Sequence, residues 1–246
     1  SSEAVPSRLE DPSTGFATVV FLASSDAEEN RRSLRALENA LPGATDVVVV
    51  ADRVQPPDGV ASHELVRTSA SLGRGAALNI GIRRARASIV VVLDPSIVPM
   101  GDIVTSLVEL LRDPTVAIAG PVGLASPDLR RFEEVMPATG PVDVTAVGGQ
   151  LMAFRRADAT ARGPVDEGFR FYPGLDVWWS LVLRDEGEGR APRRAVALPG
   201  LELERAEPAS WRKTPVKERD RLTRRNSYRI LDRFRGRLDL AIPSGT

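Results

Sequence analysis

Ser88-Ile89-Val90-Val91-Val92-Leu93-Asp94-Pro95-Ser96 is the stretch on which the fold turns. Its apolar residues run on without alternation and are mostly β-branched, the pattern of a strand buried on both faces and hence of a parallel sheet covered by helices. The run ends abruptly at Asp94, so a carboxylate stands at the carboxyl end of the strand. Three similar runs, Phe16 to Ala23, Asp46 to Ala51 and Thr115 to Ala119, predict companion strands.

Helical patterns lie between these runs. Asp26 to Leu41 carries Leu34, Leu37 and Leu41 at helical spacing, with Ser25 and Glu28 as a capping box. Gly75 to Ala87 reads as a second helix, and Met100 to Arg112 as a third, stopped by Asp113-Pro114. Strand and helix in alternation predict a doubly wound α/β fold with a mostly parallel central sheet and helices on both faces. After Pro121 the rhythm gives way to loops and short strands, with a strand pair in Val142 to Arg155 interrupted at Gly148-Gly149. A helix from Leu175 to Glu186 follows, and then a basic tail whose Thr214-Pro215 predicts an N-cap and first helical residue.

With 42% hydrophobic and 27% charged residues among 246, the chain has the usage of a water-soluble globular protein. Disorder, collagen and coiled coil are excluded. The absence of cysteine removes thiolate chemistry and cysteine-ligated metals, and the single His63 rules out a multi-histidine metal site. Carboxylates, arginines and backbone must carry any chemistry. No apolar run approaches the roughly 20 residues of a membrane-spanning helix. Net charge is zero, yet Arg205 to Arg237 holds twelve Lys or Arg against four Asp or Glu. The division expected is a flexible lead-in at 1–14, one domain at 15–204, and a basic helical extension at 205–246 packed on it through Leu222, Ile230, Leu231 and Phe234. The lead-in lacks the basic start and apolar middle of a signal peptide.

Doubly wound sheets bind ligands beyond the carboxyl ends of their strands. Ser24-Ser25, Asp52-Arg53 and Asp94-Pro95-Ser96 stand at such ends. A strand-end Asp accepts from a base or ribose hydroxyl or ligates a hard cation, and equally it caps the next turn. Leu72-Gly73-Arg74-Gly75-Ala76-Ala77-Leu78-Asn79-Ile80-Gly81 is a Gly-rich loop entering a helix. Its small residues suit either the close approach of a ligand, with Arg74 reaching phosphate and Asn79 holding the loop from inside, or tight loop-helix packing. It is neither a Walker loop nor a dinucleotide fingerprint. Gly163 to Phe169 puts Asp166 and Glu167 on a loop, and Asp176 opens the next helix, where an acid also simply complements the dipole. Trp178 and Trp179 suit core packing.

In order and spacing these pieces resemble family 2 glycosyltransferases of the GT-A fold, a Rossmann-like fold, and in flavour their rhamnosyltransferase-like branch, over about Phe16 to Phe234. Ala51-Asp52 stands at the family's acidic pair that meets the nucleotide base. Gly73, Gly75, Asn79 and Gly81 match its glycine and asparagine stretch, and Asp94-Pro95-Ser96 its metal-binding acidic triplet. Gly163 to Phe169 matches its loop ending in Asp-Glu, and Leu175-Asp176 its Glu-Asp pair. Arg224-Arg225-Asn226 is similar to a recurrent Arg-Asn, whereas the family's later histidine has only Glu202 and Glu204 near its place.

The resemblance implies transfer of a sugar, with inversion, from a nucleoside-diphosphate sugar to an acceptor hydroxyl. Asp176 would be the base. Ser24, Asp52, Gly73, Arg74, Asn79 and Asp94 would bind the nucleotide, Asp94 with a divalent cation, Mg²⁺ or Mn²⁺. Asp166, Glu167 and Trp178 would line the acceptor side. The acceptor is a carbohydrate, a lipid-linked molecule or a small molecule; nucleic acid is not an expected partner. Residues 211–237 would touch a membrane surface, which places the protein in the cytoplasm at the inner face. Because Ala51, Ser96 and Leu175 replace acids, the alternative is a catalytically impaired GT-A domain serving as a nucleotide-binding or interaction module. A nucleotidyltransferase is disfavoured, since Ser24-Ser25-Asp26 supplies no phosphate-gripping loop with lysine.

Overall fold

The structure, a computed structural model, describes residues 16–58, 63–171 and 173–245. The expected lead-in at 1–14 lies outside them. The chain opens with β1 (Ala17–Leu22), α1 (Ala27–Ala40), β2 (Thr45–Asp52), β3 (Glu64–Thr68), α2 (Arg74–Arg84) and β4 (Ile89–Leu93). There follow β5 (Ile97–Pro99), α3 (Thr105–Leu110), β6 (Val116–Gly120), β7 (Gly123–Ala125), β8 (Glu133–Val135), β9 (Val142–Val144), β10 (Ala146–Val147) and β11 (Leu151–Arg155). The remainder is α4 (Arg156–Arg162), α5 (Leu175–Arg184), β12 (Arg194–Ala197), β13 (Leu203–Arg205), α6 (Ala209–Lys213) and α7 (Val216–Phe234).

An eight-stranded sheet of order β3-β2-β1-β4-β11-β6-β12-β9 forms the frame. Strands β3, β2, β1 and β4 are parallel, while β11 runs antiparallel between β4 and β6. Every residue of β1 and β4 is buried, as unbroken apolar runs require. Successive side chains still part to opposite faces. Val19 and Phe21 meet Leu34 and Leu37 of α1 and Leu107 of α3; Val20 and Leu22 belong to the other core, with Leu78 of α2 and Trp179 of α5. Chain order reverses at the β1–β4 pair, so the carboxyl ends bearing Ser24 and Asp94 flank the switch point.

Several local expectations are corrected. Asp26, not Ser25, caps α1, its carboxylate accepting the Glu29 N–H at 3.1 Å. The helix expected over 100–112 is confined to Thr105–Leu110, because β5 extends to Pro99 and Asp102 accepts the N–H groups of Val104 and Thr105 ahead of the first turn. Thr214 does not cap α7; its hydroxyl donates to the Ser210 carbonyl and Pro215 holds the cap position. The boundary expected after residue 204 falls within β13, which pairs with β5. Helix α7 packs through Asn226, Ile230 and Phe234, all buried, with Leu222 and Leu231 half-buried. Among the described residues no helix is long and apolar enough to cross a membrane.

Candidate active site

Asp52, at the end of β2, spends its carboxylate on the loop that enters α2. Its oxygens accept the N–H groups of Leu72 and Gly73, the latter at 2.8 Å, and the Thr68 hydroxyl at 2.7 Å. Gly73 has φ +96°, and a Cβ there would lie 2.7 Å from Cα of Arg170; one on Gly75 would lie 2.6 Å from the Asp166 carbonyl oxygen. The N–H groups of Arg74 and Gly75 donate to the carbonyls of Arg170 and Phe169. The glycines thus admit protein backbone at close range, and the 169–170 segment packs over the first turn of α2.

Asn79 likewise turns toward protein. It is buried, its amide oxygen accepting the Val165 N–H at 2.9 Å and its nitrogen donating to the Val165 carbonyl and to Glu167. Its amide faces the 163–169 loop and locks that loop onto α2.

The clamped loop delivers Arg74 to Asp94. Nη1 of Arg74 meets Oδ2 of Asp94 at 2.7 Å, with both side chains largely shielded. Oδ1 of Asp94 accepts the Ser96 N–H at 2.9 Å and the Ser96 hydroxyl at 2.5 Å. Gln150 donates from Nε2 to the Ser96 hydroxyl at 2.7 Å and accepts from Arg205, whose guanidinium also forks onto Glu134. A hydrogen-bonded line therefore runs from the switch point into a cavity lined by Gln150 and Arg205. Ser24 is drawn into the N-terminus of α1: its N–H donates to Asn30 and its hydroxyl to Glu29, both at 2.8 Å. Burial, reinforced by the Asp94 charge, pushes the Glu29 carboxyl up. Sequence reasoning missed Glu29, Gln150 and Arg205; Glu29 alone left a signal, as the acid three positions after the cap of α1.

That cavity, about 750 Å³, is lined mainly by apolar groups, among them Val122, Phe132 and Ile230, with Trp211 and Gln150. Asp176 opens onto it from the start of α5 and is only 6% exposed. Its carboxylate accepts the N–H groups of Gly149 at 3.0 Å and Val177 at 2.9 Å. Burial nevertheless dominates and raises its pKa, with those hydrogen bonds opposing. A carboxylate so placed is a stronger base than one in water.

Asp166, Glu167 and Trp178 are not brought to this cavity. They line a separate hollow with Arg229 and Arg233. Two residues along a helix turn about 200°, so Trp178 faces away from Asp176. Asp166 is tied to Arg229 at 3.0 Å and to the Gly168 N–H, while the guanidinium of Arg233 lies 5.1 Å from the Trp178 ring centroid. Trp178 is 4% exposed and packs on Trp179 and Phe169.

The ligand set for a divalent cation is not assembled at Asp94. Among the described residues no three His, Asp or Glu side chains converge. Each oxygen of Asp94 already faces a donor, Arg74 on one side and Ser96 on the other.

The sequence matches no family model and no curated protein. Solved structures do resemble it. That of GalNAc-T7 with UDP, GalNAc and Mn²⁺ superposes with a TM-score of 0.69 at 15% identity, over 88% of this chain and 48% of that one. The mannosyltransferase PcManGT from Pyrobaculum calidifontis, in complex with GDP-Man and Mn²⁺, gives 0.59 at 19% identity, over 94% and 78%. The chain thus spans about half the length of GalNAc-T7. Its fold is the GT-A fold of such glycosyltransferases.

Proposed function

We propose that this chain is a glycosyltransferase that moves a sugar from a nucleoside-diphosphate sugar to an acceptor hydroxyl with inversion. The observation that carries this reading is Asp176, a shielded carboxylate of raised basicity facing a cavity large enough for a sugar acceptor, in a fold whose solved examples hold UDP or GDP-Man. An alcohol is a poor nucleophile until its proton is taken. Asp176 accepts that proton as the acceptor oxygen bonds to the anomeric carbon. The bond from that carbon to the diphosphate breaks from the opposite side, and the electron pair leaves with the diphosphate. Single displacement inverts the anomeric centre.

In this reading the donor lies beyond β1, β2 and β4, near Ser24, Arg74 and Asp94. Asp52, Gly73 and Asn79 serve it indirectly, by shaping the loop that carries Arg74. The acceptor enters past Trp211 and Phe132, and its apolar surroundings suit a lipid-linked or aglycone-bearing sugar better than a highly charged one. Helix α7 sets Lys217, Arg221, Arg224 and Tyr228 on an outer stripe whose neighbours Thr223 and Ser227 line the cavity. Such a basic stripe fits an anionic membrane surface, which keeps the protein at the cytoplasmic face.

A second reading, a nucleotide-binding module without turnover, is favoured by Ala51, Ser96 and Leu175 standing where the resemblance expects acids. One assay separates the two: release of nucleoside diphosphate from a panel of nucleotide sugars, with and without acceptors. Turnover that vanishes in Asp176→Asn supports the enzyme. Nucleotide binding with no turnover in wild type supports the module.

A further inference from the structure

The diphosphate that leaves in glycosyl transfer needs positive charge beside it, and the acids among the described residues do not gather a metal site at the switch point. Divalent cations of this kind need several oxygen ligands at about 2.0 to 2.6 Å. Asp94 is the one acid kept from the expected triplet, and Ser96 donates to it rather than standing ready as a second carboxylate. Glu29, the neighbouring acid, is already engaged: its carboxylate accepts the Ser24 hydroxyl and the Ala209 N–H. The N–H groups of Arg74 and Gly75 are spent on the 169–170 carbonyls, so the start of α2 does not offer itself to phosphate through them.

What stands at the site instead is a guanidinium. Arg74 is carried on a loop held three ways: by Asp52 from β2, by the positive φ of Gly73 and by the 169–170 segment behind it. Arginine stays charged at any working pH, and its planar fork can engage a carboxylate on one edge and a phosphate oxygen on another. Resting on the glycosyl-transfer reading, we infer that Arg74 takes the place of the divalent cation: its guanidinium, positioned by Asp94, binds the donor diphosphate, and that binding does not depend on divalent metal.

Isothermal titration of the full chain with UDP, GDP and dTDP, each in EDTA and again in excess Mn²⁺, tests the inference. The expected result is binding of at least one diphosphate with dissociation constants that agree within about threefold between the two buffers. Arg74→Gln should weaken it about 10- to 100-fold, as loss of a charge-assisted hydrogen bond does, and Arg74→Lys should recover part of the loss. Tightening by Mn²⁺ of about tenfold or more in wild type overturns the inference while leaving glycosyl transfer intact. So does a folded Arg74→Gln that binds like wild type. No binding of any diphosphate in either buffer overturns the donor reading and this inference together. Should Arg74→Gln fail to fold by circular dichroism, the comparison of buffers in wild type decides alone.

Discussion

Gly149 donates its backbone N–H to the carboxylate of Asp176 at 3.0 Å, tying the turn ahead of β11 to the first turn of α5. The glycine pair read as an interruption between strands is thus a support for the proposed base. It fixes one oxygen, the Val177 N–H holds the other, and both leave the carboxylate open toward the cavity. Hydrogen bonds of this kind lower a carboxyl pKa, but removal from water outweighs them here.

Asp176→Asn is expected to bind nucleoside diphosphate as wild type does and to transfer sugar roughly 10² to 10⁴ times more slowly, the usual worth of a general base. Titration calorimetry and a diphosphate-release assay on the same preparation check it. A variant as fast as wild type removes Asp176 from the chemistry.

The same carboxyl makes stability depend on pH. Its folded pKa lies above the ordinary value of 3.8, so between the two values the folded state binds the extra proton. By linkage, Asp176 then lowers stability progressively as pH rises from about that ordinary value through the raised one. Asp176→Asn cannot titrate and escapes that loss. The melting temperature of wild type relative to the variant should therefore fall across that window and level off above it; a difference independent of pH means the carboxyl is not desolvated.

Asn79→Ala is expected to act on stability alone. It strips a buried N–H and carbonyl of Val165 of their partner, at about 1 to 3 kcal/mol each. At this size about 2 to 4 °C of melting temperature is lost per kcal/mol. Diphosphate affinity, measured well below the transition, should be unchanged. A tenfold loss of affinity with normal melting would instead make Asn79 a ligand contact.

The outer stripe of α7 is expected to carry the chain onto anionic vesicles. Lys217, Arg221, Arg224 and Tyr228 recur at helical spacing, with Tyr228 67% exposed. Co-sedimentation with phosphatidylserine vesicles should exceed that with neutral ones at low salt and fade as the Debye length shrinks to about 10 Å near 0.1 M. Arg224→Glu with Arg225→Glu should abolish the preference. Equal sedimentation with both vesicles leaves the stripe as a solvated basic face.

By itself the sequence determined that its β-branched apolar runs are buried and which polar residues follow them. The apolar runs at Phe21, Val49 and Val91 must lie inside a sheet, so Ser24, Asp52 and Asp94 follow at strand ends, and Asp176 opens a helix. Those properties are local, set by hydrophobic period and by capping. That Trp178 turns away from Asp176 was also legible, from 100° per residue. Tertiary structure alone decided the rest. The direction of β11, the pairing of Arg74 with Asp94, and the turning of Asn79 toward Val165 each join residues far apart in sequence. An apolar run is equally content parallel or antiparallel, and a glycine-rich loop equally content against phosphate or protein backbone. The packing of the 163–170 segment against α2 settles the second choice, because it brings carbonyls to the helix start and leaves Arg74's side chain, rather than the backbone, facing Asp94.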